Sequence, residues 1–338
     1  MASRIFIRGV NWLGDTVLSL PTVEAIRQTF PRARITLLCP EWLVPFWTLV
    51  PHIDRAVGFS TPRKALIRSF ELRKESHDLA VVFPNSYNSA FCARLCGAQR
   101  RIGLDRRSRG FLFTDAVPVF DSDLDVHQVY YYLKLMTAFN CRPDDFDPVP
   151  ELAVPEDYTR WFRKLLDGRP AIGINPCSGQ GTARLWLAER FADLAGELGH
   201  AFPDHAIVFF GTPSDLGRVQ GIVDRLDTPV INLAGRTGLL EFLGALSCLS
   251  LYITNDNGSM HAACALGLRV VTIFGSSDPG TTGPFSRKAI VVRKEIECSP
   301  CIKKDCPTDL RCMTRIEVDD VMSAVTKSMG RTEAVRAE

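Results

Sequence analysis

Short runs of apolar residues alternate with amphipathic helical patterns along most of the chain. The run "RIFIRGV" is typical of a buried strand, and the segment after it carries apolar residues at helical spacing, namely Val17, Leu20, Val23, Ile26 and Phe30. The runs "RITLLC" and "HDLAVVFP" continue the alternation. Strands that alternate with helices predict a parallel sheet covered on both faces.

The alternation is interrupted once and then restarts. Proline and acidic residues break the pattern in "NCRPDDFDPVPELAVPED", and the strand-like runs "AIGIN", "AIVFFG", "YITND" and "VVTIFG" follow. The sequence therefore predicts an α/β protein with two Rossmann-like, doubly wound domains facing a cleft. We place these domains at residues 1–150 and 171–330, joined by a linker at 151–170.

Composition narrows the class of protein. The 338 residues are 46% hydrophobic and 23% charged, with a net charge of +2, so no overall charge indicates a nucleic-acid partner. No apolar run reaches the roughly 18 residues of a transmembrane helix, and no signal peptide is visible. Eleven cysteines, an odd number and mostly in apolar contexts, favour a reducing cytoplasm over a disulfide framework.

Asp15 lies where the first predicted strand gives way to the first predicted helix, directly after Gly14. Open α/β proteins keep their working groups at such turns. A carboxylate in this position is either a catalytic base or a helix cap, and the local sequence leaves both interpretations open.

Two loops of the second half have the features of a phosphate site. In "NDNGSMH", a helix begins directly after a strand, and Gly258 would let a ligand approach the backbone. Aspartate and asparagine are also leading helix caps, which is an equally good interpretation. In "NPCSGQGTARLW", Ser178 and Arg184 suit a diphosphate, with an ordinary surface turn as the alternative. The loop lacks the third glycine of a dinucleotide fingerprint and the Gly-Lys-Ser/Thr of a phosphate loop.

The sequence allows more than one interpretation of two further clusters, one of arginines and one of cysteines. The segment "GAQRRIGLDRRSRG" holds five arginines, which indicate either an anion site or a solvated face. The segment "CSPCIKKDCPTDLRCM" contains Cys298, Cys301, Cys306 and Cys312. Its spacing leaves zinc, a redox-sensitive pair or a plain loop open, and we favour a structural role. With no His-x-x-x-His pair, no catalytic metal site is predicted.

Together these stretches resemble glycosyltransferase family 9, the ADP-heptose:lipopolysaccharide heptosyltransferases. "NWLGDTVLSLPTVEAIRQTFP" is similar to the N-terminal motif of the family, and "TNDNGSMHAACALGLRVVTIFGSSDP" is similar to its donor-site run. "FPNSYNSA" and "RIG" resemble the subgroup that adds the second heptose. The chain departs from the pattern at Arg184, where a lysine is usual, at Leu187, where a proline is common, and in its cysteine-rich segment.

The resemblance implies a GT-B fold, with an acceptor-side first domain and a nucleotide-sugar-binding second domain. It also implies an inverting, metal-independent transfer without a cofactor, in which Asp15 matches the catalytic aspartate. The residues that match the donor-binding positions, or lie in the loop beside them, are Ser178, Gly179, Arg184, Asp256, Asn257, Gly258, Ser259, Met260 and His261.

The acceptor implied by the resemblance is a lipid-linked anionic oligosaccharide, with phosphates on lipid A and carboxylates on its Kdo sugars. The candidates for binding it are Asn85, Ser86, Arg101, Arg106, Arg107 and Arg109. We expect a cytoplasmic protein with peripheral contact at the inner membrane. The segment "PEWLVPFWTLVP" is either the edge that makes this contact or, as we favour, a helix packed on the core.

Other functions stay open from the sequence. The nearest alternative is a family 9 transferase with another donor or acceptor, such as one resembling heptosyltransferase I. A GT-B nucleotide-sugar epimerase has the same two-domain layout but no incoming hydroxyl for Asp15 to deprotonate. The missing glycine fingerprint argues against a dehydrogenase, and a non-catalytic binding protein gives Asp15 no special role.

Overall fold

The computed structural model describes residues 2–179 and 181–330. The chain divides into two compact units that meet between Leu152 and Ala153, and each unit is built around its own six-stranded parallel sheet.

The first unit contains strands β1 to β6 and helices α1 to α6. The strands are β1 Arg4–Arg8, β2 Arg34–Pro40, β3 Arg55–Phe59, β4 Leu79–Val82, β5 Arg100–Asp105 and β6 Asp115–Pro118. The helices are α1 Leu13–Leu18, α2 Leu20–Thr29, α3 Val44–Trp47, α4 Pro62–Glu71, α5 Tyr87–Leu95 and α6 Gln128–Leu133. The strand order is β3-β2-β1-β4-β5-β6, with Ile5 of β1 opposite Ile35 and Leu79 of its two neighbours.

The second unit contains strands β7 to β12 and helices α7 to α14. The strands are β7 Ala171–Asn175, β8 Ala206–Phe209, β9 Ile231–Asn232, β10 Leu251–Asn255, β11 Val270–Ile273 and β12 Ala289–Val292. The helices are α7 Arg160–Leu166, α8 Ala188–Ala201, α9 Leu216–Val223, α10 Leu239–Ser247, α11 Gly258–Ala265, α12 Pro279–Thr282, α13 Arg311–Thr314 and α14 Val318–Ser328.

The two sheets have the same topology. The second sheet has the order β12-β11-β10-β7-β8-β9, which is the order of the first sheet counted from its own first strand. In each sheet the chain reverses its direction of winding between the first and fourth strands. In a doubly wound sheet, ligands bind outside the carboxyl ends of the strands at this switch point. The loops after β1 and β4, and after β7 and β10, are therefore the places to look for chemistry.

The strands and helices form because their apolar residues meet on buried faces. All five residues of β7 are buried, as expected for a parallel strand covered on both sides. Helix α8 buries one stripe at helical spacing, which packs on the second sheet: Phe191, Ala192, Leu194, Ala195 and Leu198. Phe46 and Trp47 of α3 are also buried, so the packing interpretation of "PEWLVPFWTLVP" is confirmed for these two side chains.

The structure corrects the predicted linker at 151–170. This segment contains a 3-10 turn, Glu156–Tyr158, and the helix α7, and both belong to the second unit. Phe162 of α7 is completely buried, with its ring centroid 6.4 Å from that of Phe210. Two apolar residues four positions apart, Phe162 and Leu166, pack this helix onto the unit, and the proline-rich composition before it hides that signal.

Candidate functional site

The switch point of the first unit brings Asp15 and the "PNS" loop to neighbouring strand ends. Asp15 lies in the first turn of α1, directly after β1, and Asn85 and Ser86 follow β4. The alternative of Asp15 as a helix cap is wrong, because α1 begins at Leu13 with Trp12 in the cap position. A carboxylate in the first turn is stabilised by the positive end of the helix dipole.

The carboxyl group of Asp15 is held by a residue far away in sequence. The hydroxyl of Tyr132, on α6, donates a hydrogen bond to Asp15 Oδ1 at 3.0 Å. Burial raises the pKa of Asp15 above its ordinary value, and the hydrogen bond from Tyr132 opposes part of this rise. Burial likewise raises the pKa of Tyr132, so this hydroxyl remains a neutral donor. The result is a carboxylate that is more basic than usual and fixed in orientation.

The "PNS" loop joins the same group of side chains. The Asn85 side-chain amide donates to the hydroxyl of Tyr131 at 2.8 Å, and the ring of Tyr131 lies edge-on to that of Tyr132, with 6.0 Å between centroids. Ser86 caps helix α5, since its hydroxyl accepts from the backbone N–H of Ser89 at 3.2 Å. Asn85 therefore bonds to the neighbour of the tyrosine that orients Asp15, whereas the Ser86 hydroxyl is engaged in the cap.

Arg109 requires a correction. We expect it from the sequence at the acceptor, but its side chain is completely buried. Its guanidinium donates to Pro84 O at 2.6 Å, Asn85 Oδ1 at 3.1 Å and Leu104 O at 3.0 Å. Burial lowers the pKa of Arg109 to about 10. Its donors point at the chain's own carbonyls, so Arg109 positions the "PNS" loop instead of reaching an anion in solvent.

The remaining arginines of this cluster divide into engaged and surface residues. Arg101 donates to Leu112 O at 3.1 Å and Ala98 O at 2.9 Å, which ties it to its own turn. Arg106 is half-buried and Arg107 is exposed. The anion-binding interpretation therefore rests on Arg106 and Arg107, and the sequence cluster overstates the number of available cations.

The switch point of the second unit brings together the two loops singled out in the sequence. Arg184 Nη1, from the loop after β7, lies 3.2 Å from Asp256 Oδ2 in the turn after β10. Ser277 also donates to this carboxylate. Burial raises the pKa of Asp256, and Arg184 and Ser277 oppose the rise. Asp256 therefore anchors Arg184, whose side chain stays 29% exposed at the strand ends.

Asn257 is the cap of helix α11, so the helix-cap interpretation of this turn is confirmed for this residue. Its Oδ1 accepts from the backbone N–H groups of Ser259 and Met260 at 3.0 and 3.2 Å. Its Nδ2 donates to Cys177 O at 2.8 Å, which joins the two loops. Two amides at the helix start are therefore already occupied by the cap, which limits what this turn offers to a phosphate.

The residues after Gly258 face the interior. Met260 is completely buried, and Ser259 and His261 are buried as well. The Ser259 hydroxyl lies 2.7 Å from that of Tyr252. The resemblance implies that Met260 binds the donor. Its complete burial disagrees with a direct contact of its side chain, because its position on α11 turns it toward the core. Ser178, Gly179 and Gly258 keep surface exposure.

The cysteine-rich segment holds the loop that carries Arg184. The backbone N–H of Ala183 donates to Lys304 O at 2.9 Å, and the N–H and hydroxyl of Thr182 both donate to Asp305 Oδ1 at 2.9 Å. The other end of the segment is bonded to the residues after β11, since Cys301 and Ile302 donate to Ser276 O. These contacts support the structural role that we favoured for this segment.

The same segment shows no ready metal site. Across residues 2–179 and 181–330, which include all eleven cysteines, no group of three or more His, Cys, Asp or Glu side chains is arranged to hold a metal ion. The cysteines in this part of the chain are all free thiols.

Sequence reasoning missed the residues that hold the candidate groups in place. Tyr132 lies 117 positions from Asp15, and Ser277 lies 21 positions from Asp256. Only the run of tyrosines in "VYYYLKLM" hinted at a special role, and its helical spacing equally fits a core helix. These partners become visible only when the chain is folded.

Two Rossmann-like units of identical strand order, each with candidate groups at its switch point, define a protein of the GT-B fold class. The family model of glycosyltransferase family 9 (heptosyltransferase) matches residues 63–311. The chain belongs to this family.

Relatives and solved structures agree with the assignment. The chain is 30% identical over 308 residues to lipopolysaccharide heptosyltransferase 2 of Escherichia coli K12, covering 86% of this chain and 88% of the relative. The structure of E. coli ADP-heptose lps heptosyltransferase II matches with a TM-score of 0.83 and 26% identity, over 96% of this chain and 98% of that chain. E. coli heptosyltransferase WaaC with ADP shares the fold at a TM-score of 0.74 and 15% identity, over 96% and 99% of the two chains.

Within residues 2–179 and 181–330, no helix has the length and hydrophobicity that crossing a bilayer requires.

Proposed function

We propose that this chain transfers heptose from ADP-heptose to the lipopolysaccharide inner core, onto an acceptor of the heptosyl-Kdo-lipid A type. Membership of family 9 and the names of its relatives, lipopolysaccharide heptosyltransferase 2 and ADP-heptose lps heptosyltransferase II, support this choice of donor and acceptor. The observation that carries the mechanism is the Asp15 carboxylate, held at a switch point by Tyr132 with its pKa raised.

Asp15 acts as the general base. As the acceptor oxygen attacks the anomeric carbon of the heptose, its proton passes to the Asp15 carboxylate. The bond from the anomeric carbon to the diphosphate oxygen breaks with its electron pair, and ADP leaves from the opposite face. The configuration at the anomeric carbon is therefore inverted. The raised pKa favours this step, because a more basic carboxylate accepts the proton more readily.

The second unit stabilises the departing diphosphate. Arg184 presents a partly exposed guanidinium whose direction Asp256 fixes, and Ser178 and Gly179 of the same loop also keep surface exposure. A fixed cation at the place where negative charge develops lowers the barrier without reorganisation during the reaction. The proposed reaction uses this arginine and uses no metal ion, so transfer is expected to continue in the presence of a chelator.

The acceptor side uses the first unit. Asn85 bonds to Tyr131, whose ring lies against that of Tyr132, and Arg106 and Arg107 offer cations for acceptor phosphates or carboxylates. Replacing Arg106 and Arg107 by alanine is expected to raise the KM for the acceptor and leave ADP affinity unchanged. Equal losses of both would contradict the assignment.

The deciding experiment compares the parent with Asp15→Asn, using ADP-heptose and a truncated lipopolysaccharide acceptor. Loss of a general base is expected to lower kcat about 10²- to 10⁴-fold, with donor binding and thermal unfolding close to those of the parent. Asp125→Asn, an exposed aspartate of the same unit, is the matched control and is expected to keep parent activity. Near-parent turnover in Asp15→Asn would remove the proposed base.

The same assay separates the alternative functions. A transferase releases ADP only when the acceptor is present, whereas an epimerase turns over its nucleotide sugar without an acceptor. A family 9 transferase of different specificity would release the nucleotide of its own donor with another donor or acceptor, and would release no ADP with this pair. We propose that the reaction takes place in the cytoplasm, with peripheral contact at the inner membrane where the lipid-linked acceptor resides.

A further inference from the structure

Helices α4 and α5 lie side by side on one face of the first sheet. Asn88 of α5 donates to Pro62 O of α4 at 3.0 Å, which holds the start of α5 against that of α4. Both helices turn their small side chains inward, since Ala65 and Ser69 of α4 and Ala90 of α5 are completely buried. Their outer sides therefore form one continuous surface of the first unit, which we call the α4/α5 face.

Large apolar side chains stand out from this face. Ile67 and Phe70 of α4 are 48% and 59% exposed, and Tyr87 and Phe91 of α5 are 44% and 43% exposed. The spacings of three and four residues place each pair on one side of its helix. Four such side chains on two adjacent helices form an apolar patch of the kind that marks an interaction site.

The surroundings of this patch are strongly basic. Residues 62–75 and 87–95 contain six cations, namely Arg63, Lys64, Arg68, Arg73, Lys74 and Arg94, and only two acids. Both acids are already paired, Glu71 with Arg68 at 2.8 Å and Glu75 with Arg55 at 2.6 Å. The whole chain has a net charge of only +2, so positive charge is concentrated on this face.

We propose that the α4/α5 face docks the enzyme on an anionic phospholipid bilayer. This inference rests on the proposed function, because it supplies the contact needed to reach a lipid-linked acceptor. Aromatic and aliphatic side chains enter the headgroup boundary while lysine and arginine pair with phosphates, and the two contributions reinforce one another. A protein partner is the alternative occupant, and the vesicle experiment decides between the two.

The test measures binding of the full chain to phosphatidylcholine vesicles with and without phosphatidylglycerol, by co-sedimentation in the absence of donor and acceptor. The parent is expected to bind only the anionic vesicles and to be released by salt, because exposed charges are screened. The face variant Lys64→Glu/Ile67→Ser is expected to bind about tenfold more weakly, because it reverses a cation and removes an apolar anchor.

The second unit offers a matched control. Lys164→Glu/Leu165→Ser on α7 makes the same change of charge and the same loss of an exposed aliphatic side chain, and it is expected to bind vesicles as the parent does. A second face variant, Phe91→Ser/Arg94→Glu on α5, is expected to lose binding as well. Thermal unfolding of each variant checks that the loss does not come from misfolding.

Two outcomes would overturn the proposal. If the parent binds anionic and neutral vesicles equally, the role of the basic residues is wrong, and if it binds neither, the α4/α5 face is an interface for a protein partner instead. If the α7 control loses as much binding as the face variants, the location is wrong. Transfer to a deacylated, water-soluble acceptor needs no membrane, so it distinguishes a failure of the proposed function from a failure of docking. The parent and the face variants are all expected to transfer heptose to this acceptor. Absence of transfer by the parent would contradict the proposed function.

Discussion

The pKa of Asp15 is set by two opposing effects of its surroundings. Burial raises it, and the hydrogen bond from Tyr132 lowers it, because the bond favours the charged form. Tyr132 is therefore a positioning residue whose hydroxyl fixes both the direction and the basicity of the carboxylate.

Replacing Tyr132 by phenylalanine tests this balance. Without the hydrogen bond, the pKa of Asp15 is expected to rise further, so the pH at which transfer declines on the acidic side moves upward. The pH profile of kcat/KM, measured by ADP release, checks this shift. Tyr131→Phe removes a neighbouring hydroxyl that contacts Asn85 and is expected to leave the acidic limb in place. An unmoved limb in Tyr132→Phe would contradict the role of its hydroxyl.

The pKa values of the cysteine thiols also depend on their surroundings. Cys306 Sγ lies 3.4 Å from the Thr308 hydroxyl and accepts a hydrogen bond from the backbone N–H of Leu310 at 3.3 Å, and these contacts lower its pKa. Burial raises the pKa of Cys39, Cys96 and Cys264 to about 12.

Alkylation of the folded protein is therefore expected to be ordered. Cys306 should react with iodoacetamide at neutral pH well before Cys39, Cys96 and Cys264, because the thiolate is the reactive form. Mass spectrometry of peptides after short labelling times measures the order. Earlier labelling of a buried thiol would show that the native packing of these sites differs from that described.

At the scale of elements, the loop between β7 and α8 depends on a segment more than 100 positions further along the chain. Lys304 and Asp305 bind its backbone, and Trp186 at its end donates its backbone N–H to Asn255 Oδ1 at 3.1 Å. The cysteine-rich segment is thus a brace for the loop that carries Arg184. Gly181 makes the brace possible, because its φ is +68° and a Cβ there would lie 2.1 Å from Lys304 O.

Gly181→Ala is expected to lower the free energy of unfolding by about 2 kcal/mol, since alanine is strained in the left-handed region and also meets Lys304. Denaturant unfolding measures the change. Gly179→Ala is the matched control for stability, because a Cβ there has no heavy atom within 4 Å, and it is expected to stay within about 0.5 kcal/mol of the parent. Equal stabilities for the two variants would contradict the brace.

At the scale of the whole molecule, each unit contains a buried apolar cluster and candidate groups of its own. One buried apolar cluster lies entirely within residues 6–113 and another within 172–325. All of the proposed donor contacts belong to the second unit, and Asp15 belongs to the first. If the proposed function is correct, binding of ADP and transfer of the sugar are therefore separable properties of the chain.

A fragment beginning at Ala153 tests this separation. It is expected to fold and to bind ADP with a Kd within about tenfold of the full chain, while showing no transfer. Isothermal titration calorimetry measures the affinity, and the fragment 1–152 serves as the control that should not bind ADP. If the fragment 1–152 binds ADP and the fragment beginning at Ala153 does not, the assignment of the two units is reversed.

Much of this architecture was predictable because its signals are local. The apolar runs and helical spacings predicted the parallel strands and most of the helices, and the strand-to-helix turns pointed to Asp15, Arg184 and Asp256. The linker was wrong beyond Leu152, because the apolar pair Phe162 and Leu166 is too short a signal beside the prolines. The arginine cluster was overcounted, because sequence spacing does not tell which guanidinium turns inward.

The sequence by itself determined the class of fold, the family and the chemical type of the candidate groups, because these follow from periodicity and from short motifs of neighbouring residues. Only the tertiary structure decided how those groups are held. It paired Tyr132 with Asp15 and Arg184 with Asp256, buried Arg109 beneath the "PNS" loop and braced Gly181 against Lys304. Burial and hydrogen bonding between distant segments set these properties, and neither is written in the local order of residues.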